Sequence, residues 1–396
     1  MTCLWKTRTT FVLLGFCFLS AVLAAASAEP AKVALTADRW QANGDIAFVP
    51  TEGFPEGLLT VKSGGAVLKG ITFGDGTIEY DIKESPEGAG IPGIRFRQRD
   101  PDTAEQLYLR PSPNCPPSND CVQYAPVTHG LLLWDVYPEY QASAPVRETG
   151  WNHVKLLISG RRMNVYVNGE TTPSLEVGRL EGDALEGAIE LRGAATFANV
   201  TVIPGAVGGL SPVPVADPTD GDPKFIRNWL VSPAYPLETG RDPIFADLPE
   251  SDSWQRVSAE RRGLVNLSRL YGSPTMDSAG AVVWLKTTLK SDQVQEKHVS
   301  LGWARQIWIY VNGNLVFSDK NFYYPEAARR APDGRLSLEN GSFNLPLRKG
   351  TNEIAIVLSN IFPQGHSHYG WGLELHLDDL SGLKMSNDTD PRSDLH

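Results

Sequence analysis

Gly93-Ile94-Arg95-Phe96-Arg97 alternates apolar and polar side chains residue by residue, as do Gly76-Thr77-Ile78-Glu79-Tyr80-Asp81-Ile82 before it and Leu107-Tyr108-Leu109-Arg110 after it. A period of two is the mark of a half-buried β-strand, because successive side chains of a pleated strand point to opposite faces. The same pattern returns at Gly130 to Trp134, His153 to Ser159, Met163 to Asn168, Ala188 to Arg192 and Phe197 to Val202, each run closed by Gly, Pro, Asn or Asp. Such spacing predicts an all-β sandwich. Asn168-Gly169, following Val165-Tyr166-Val167, supplies the two positive-φ residues of a type I′ hairpin turn.

Parity also assigns faces. Ile94 and Phe96 point to the core, which turns Arg95 and Arg97 outward; Leu107 and Leu109 point inward, which leaves Tyr108 and Arg110 outside. Ile78, Tyr80 and Ile82 bury themselves and present Glu79 and Asp81, and Ile189-Glu190-Leu191-Arg192 presents Glu190 and Arg192. If these strands share one sheet, its outer face carries guanidiniums, carboxylates and an aromatic ring, with Tyr124 and Trp134 in flanking segments. One reading of that face is a solvated surface of cross-strand ion pairs. The other is a sugar-binding surface, in which Arg and carboxylates hydrogen-bond hydroxyls while Tyr or Trp stacks on the C-H face of the ring.

The order Gly76 to Ile82, Gly93 to Arg97, Tyr108-Leu109-Arg110-Pro111, Gln123-Tyr124-Ala125-Pro126, Trp151 to Lys155 and Val165 to Gly169 resembles concanavalin A-like (laminin G-like) sandwich domains. Relatives of that kind include lectin-like modules, glycoside hydrolases and 3-keto-disaccharide hydrolase domains. The resemblance therefore implies a glycan ligand. Glu79-Tyr80-Asp81-Ile82-Lys83-Glu84 also has the spacing of the laminarinase-type retaining glycosidases, whose motif supplies a nucleophile, a helper and an acid/base. Glu84 joins Glu79 and Asp81 on one face only if a bulge resets the register, and retention needs two carboxyls about 5 to 5.5 Å apart.

The rest of the chain frames this domain. Residues 1–28 read as an export signal, with Lys6 and Arg8 ahead of an apolar Phe11 to Leu23 core and small residues at Ala26-Ser27-Ala28. Its apolar core is shorter than the roughly 20 residues of a membrane helix, and no later run approaches that length. A formal net charge of −10 argues against nucleic acid, whose binders need a clustered basic surface. Cys115 and Cys121 close a short Pro-rich loop, and in an exported protein they are expected to form a disulfide; with no second cysteine pair or histidine at ligand spacing, zinc is the weaker reading.

After a first domain over residues 29–204, residues 205–223 form a Pro/Gly-rich linker, and a second series of strand signals runs over 224–385 before a polar tail at 386–396. Ile307 to Phe317 is a hairpin around Asn312-Gly313. Asn228 to Pro233, Trp254, Gly302 to Gly313 and Gly370-Trp371-Gly372-Leu373-Glu374-Leu375 resemble the galactose-binding-like jelly roll, whose members bind ligands at one end or brace a neighbour. Trp303 and Tyr323-Tyr324 are its candidate stacking residues, and His366 and His368 share parity but lack a third metal ligand. No cofactor is expected, and a calcium ion would leave no motif to read.

Taken together, the residues predict a secreted or periplasmic protein of two tandem antiparallel sandwiches that binds an oligo- or polysaccharide through Arg95, Arg97, Tyr108, Arg110, Tyr124 and Trp134. The alternatives are a glycoside hydrolase or lyase using Glu79, Asp81 and Glu84, and a structural adhesion module.

Overall fold

The computed structural model describes residue 1 and residues 31–385, apart from 86, 239, 251–252, 275–279 and 363–368. The expected export signal, the polar tail and the His366/His368 pair fall outside the described residues. The architecture is nearly all β, in two curled antiparallel sandwiches.

Each sandwich turns on one long strand that serves two layers. In the first, Phe54–Leu68 pairs through Leu59–Val61 with Ala195–Phe197 and through Gly65–Val67 with Glu190–Arg192. The change of partner falls at Gly64, where φ is +80° and an added Cβ would lie 2.0 Å from the Asn43 carbonyl oxygen, so only glycine fits the bend. One layer then runs outward through Gly76–Glu84, Asn152–Ser159, Arg162–Val167 and Leu175–Val177. The other runs through Ala188–Arg192, Gly93–Asp100, Thr103–Leu109 and Val122–Thr128. In the second sandwich the long strand is Gln295–Val311. Its first half pairs with Gly341–Leu347 and Gly372–Leu377, its second half with Asn314–Asn321 and Gly350–Ser359.

The alternation read from the sequence holds where the ladders are regular. Ile78, Tyr80, Ile82, Ile94, Phe96, Leu107 and Leu109 all lie in the first core. Both expected turns form, with positive φ at Asn168, Gly169, Asn312 and Gly313. The second core is built on Trp229, Trp303, Trp371 and aliphatic side chains from both layers. Trp303 is fully buried there, edge-on to Phe317 at 5.6 Å, so this candidate stacking residue is core.

The segment expected as a linker lies against both sandwiches as a strap. Its Pro212 carbonyl accepts from the Arg161 N–H at 3.1 Å and its Val215 N–H donates to the Gly178 carbonyl at 2.9 Å. Asp217 then accepts from the backbone N–H of Arg262 and pairs with Arg227 in the second sandwich. The sandwiches also touch directly. Leu264, Ala304 and Leu336 of the second pack into the first core cluster. Asp135 and Arg305 form an ion pair of 2.8 Å across the junction, each side chain only 1% exposed. Arg305 sits at the point where Gln295–Val311 changes layers, with φ +92°, and Asp135 also accepts from the Gly370 N–H at 2.9 Å.

Candidate functional site at the domain junction

The outer face of Thr103–Leu109 and Val122–Thr128 is apolar enough to need a cover. Ala104, Tyr108, Ala125, Val127, Leu132 and Trp134 form a buried cluster outside the first core, and Tyr323 and Tyr369 of the second sandwich pack against it. At the margin of this seam opens a cavity of about 410 Å³, with Tyr108, Trp134, Tyr323, Tyr324 and Tyr369 as its aromatic wall and Glu84, Arg110 and Gln123 on the polar side.

Local structure explains how these groups meet. Trp134 stands edge-on to Tyr323 at 5.1 Å and to Tyr369 at 5.4 Å, with the Arg335 guanidinium 4.8 Å from its ring centre. Perpendicular rings place a positive edge on a negative face, and the cation adds to that attraction. Tyr324 is the ring left to solvent, 45% exposed. It is held edge-on to Tyr323 at 4.5 Å, with Arg329 stacked 4.7 Å over Tyr323.

Arg110 joins the two sandwiches. Its backbone N–H donates to the Cys121 carbonyl at 2.9 Å. Its guanidinium pairs with Asp120 at 2.8 Å and donates to the Tyr323 hydroxyl at 3.3 Å. The Ser118 hydroxyl donates to Asp120 at 2.5 Å, and Cys115 and Cys121 are bonded, closing the loop that carries both. The disulfide thus steadies one wall of the cavity. Burial pushes the carboxyl of Glu84, across the cavity, above its ordinary range.

Of the expected site residues, Tyr108, Arg110 and Trp134 meet at this cavity, while Arg95, Arg97 and Tyr124 stand apart from its lining. Arg95 keeps the outward parity read for it, but it is spent on its neighbours: it donates to Gln106 Oε1 at 2.9 Å and to the Pro101 carbonyl at 3.0 Å, and lies 3.9 Å from Glu190. Burial lowers its pKa to about 10.

Arg97 departs from the expectation outright. The pairing with Thr103–Leu109 shifts register after Phe96, and Arg97 takes φ +49°. A bulge turns the next side chain, so Phe96 and Arg97 are buried together. The guanidinium donates to the Gly74 carbonyl, to Asp75 at 2.8 Å and to the Gly160 carbonyl at 2.7 Å. Tyr124 is interior as well, donating to Glu105 at 2.6 Å and accepting from the Glu181 N–H at 2.6 Å. Burial raises Glu105 to about 7, against the lowering effects of Tyr124 and Arg97.

Glu79 and Asp81 belong to the other layer, so the expectation of one shared outer face is corrected. Asp81 accepts from His153 Nδ1 at 2.8 Å and from Asn199 at 2.6 Å, and Glu79 pairs with Lys155 at 3.0 Å. Burial opposes ionisation of Asp81, but the hydrogen bonds from His153 and Asn199 overcome it and hold the carboxyl below its ordinary value. The bulge that could have gathered the carboxyl triplet lies instead in the neighbouring strand, between Ala198 and Thr201. Gly76–Glu84 itself stays in regular register with Asn152–Ser159 from Gly76 to Ile82. Glu84 therefore keeps opposite parity to Glu79 and Asp81 and faces the junction cavity.

Sequence reasoning named Tyr323 and Tyr324 but placed them in the second domain alone. It missed Arg335, Arg329, Gln123 and Tyr369, which carry no local pattern. Among the described residues no group of three or more His, Cys, Asp and Glu side chains is placed to hold a metal ion.

Neither a protein-family model nor a curated protein matches the chain. Similar solved structures do. A carbohydrate binding module CBM66 from Bacillus subtilis is 19% identical, covering 41% of this chain and 93% of that one at a TM-score of 0.30. A Bacillus subtilis protein with a galectin-like fold is 15% identical over 44% and 94%, at 0.31. Domain 4 of the extracellular arabinanase AbnA from Geobacillus stearothermophilus, in complex with arabinotriose, is 13% identical over 46% and 84%, at 0.29. At such scores the likeness carries no argument, and the reading of the cavity rests on its own geometry.

Proposed function

We propose that the protein binds a saccharide in the junction cavity, with Tyr324 as the stacking ring and Arg110, Gln123 and Glu84 as hydrogen-bonding partners for hydroxyls. The observation that carries the reading is the convergence of five aromatic side chains and three polar ones on one open hollow of about 410 Å³. A sugar presents an apolar C-H face and a rim of hydroxyls, and a preformed cleft of this composition matches both. Binding is favoured over glycoside hydrolysis because Glu84 is the one carboxyl among the described lining residues, whereas hydrolysis takes a pair. Export to an oxidising compartment is part of the proposal, supported by the Cys115–Cys121 bond.

A glycan array on the full chain, repeated with Tyr324→Ala, tests the proposal. Saturable binding to a glycan that the variant loses supports it; silence across the array, or binding untouched by the variant, overturns it. Reducing-sugar release from the hits would mark the protein as an enzyme instead.

A further inference from the structure

A second cavity, of about 520 Å³, lies elsewhere along the same junction, and none of its described lining residues is aromatic. Its walls come from three parts of the chain: Arg161, Arg179, Glu181 and Asp183 of the first sandwich, Pro214 to Asp217 of the linker strap, and Arg227, Glu260, Arg261 and Arg269 of the second sandwich. Five guanidiniums face four carboxylates there, in a chain whose net charge is −10.

The hydrogen bonds already made decide what could be added. The carboxylates are engaged. Glu181 accepts from Tyr140 at 2.7 Å and from Arg179 at 3.2 Å, and Glu260 accepts from Tyr137 and Arg269, both at 2.7 Å. Asp183 pairs with Arg269 at 2.8 Å, and Asp217 accepts from Thr219 and from the Arg262 N–H. Donors are left over. Among the described residues Arg161 spends only Nη1, on the Leu180 and Gly182 carbonyls. Among the described residues Arg179 spends only Nε, and the buried Nε of Arg261 has no hydrogen-bond partner. Apart from Asp183, which is engaged through Oδ1 alone, the unspent groups are guanidinium N–H donors, and a ligand that meets them brings acceptors. Planar guanidinium forks suit carboxylate and phosphate oxygens.

We infer that this arginine-lined cavity binds a small oxyanion of about monosaccharide size, a sugar carboxylate or a phosphate, at a site separate from the aromatic cleft. The strap forms one wall, so the site exists only when linker and both sandwiches are docked.

Titration calorimetry of the full chain at low ionic strength, with glucuronate, inorganic phosphate and glucose as probes, tests this. Saturable binding of glucuronate or phosphate that persists in Tyr324→Ala is expected, with no binding of glucose in that variant; which anion binds tells a sugar acid from a phosphate. The affinity should fall as salt rises and at least tenfold in Arg179→Gln, and should be unchanged in Tyr324→Ala. Val215→Glu, which sets a carboxylate at a half-exposed lining position, should also abolish it, so the result does not hang on one variant. If neither anion binds, if glucose binds Tyr324→Ala as well as they do, or if Arg179→Gln and Val215→Glu both bind like the parent, the site does not exist. The unaffected Tyr324→Ala variant keeps this outcome distinct from that of the saccharide cleft.

Discussion

The first sandwich has two outer faces written in the same alternating code, and they meet opposite fates. On the layer of Gly76–Glu84 and Asn152–Ser159, Glu79, Asp81, His153 and Lys155 neutralise one another in half-exposed cross-strand pairs. On the layer of Thr103–Leu109 and Val122–Thr128, the outward positions hold Ala104, Gln106, Tyr108, Gln123, Ala125 and Val127, none of them charged, and the second sandwich packs against the apolar ones. Alternation says which side chains leave the core. What they meet outside depends on whether they are charged enough to stay in water, and on the covered face they are not.

The largest way to break this contrast is at the ion pair that pins the cover. Removing one partner of a fully buried pair leaves the other charge without compensation, a cost of about 3–5 kcal/mol. Asp135→Ala should lose roughly that in denaturant unfolding, with Trp134 fluorescence shifting red as the seam loosens. Tyr324→Ala should leave stability nearly unchanged and weaken glycan binding about tenfold, some 1.4 kcal/mol, as read by titration calorimetry. Lys155→Ala, on the open face, should cost no more than about 1 kcal/mol; a loss as large as that of Asp135→Ala would erase the distinction between the faces.

The smallest effect is a pH dependence on the open face. The hydrogen bond to Asp81 raises His153 above its ordinary 6.5, and Asp81 is lowered from 3.8. The stabilisation by the raised histidine is complete below 6.5 and fades as pH climbs through its folded value; that by the lowered carboxyl is complete above 3.8 and fades as pH falls through its folded value. The pair therefore contributes fully between 3.8 and 6.5. In Asp81→Asn the His153 titration, followed by NMR, should move back toward 6.5, and a raised value that persists would assign the shift to other neighbours.

How much was legible follows from the range of each interaction. Strand parity and turn chemistry are local, so Ile94, Leu107, Asn168-Gly169 and Asn312-Gly313 read correctly. The bend at Gly64 is not local in its consequences: it sends Glu79 and Arg95 to different layers, and no spacing in the sequence announces it. Arg97 was lost to a bulge, and Tyr124 to a partner, Glu105, that sits at a core position of its strand. Glu105 was the available signal, because a carboxyl in register with Leu107 and Leu109 needs a buried donor. The cavity needed both halves of the chain, which is why Tyr108, Arg110, Trp134, Tyr323 and Tyr324 were named without being brought together, and Glu84 was named in another role.

The sealed seam of Tyr108, Trp134 and Tyr369 also decides how the polypeptide can be cut. Either sandwich produced without the other would expose greasy surface that evolved to be dry, and such fragments should clump and stick to one another. The workable unit for biochemistry runs unbroken through both halves, strap included.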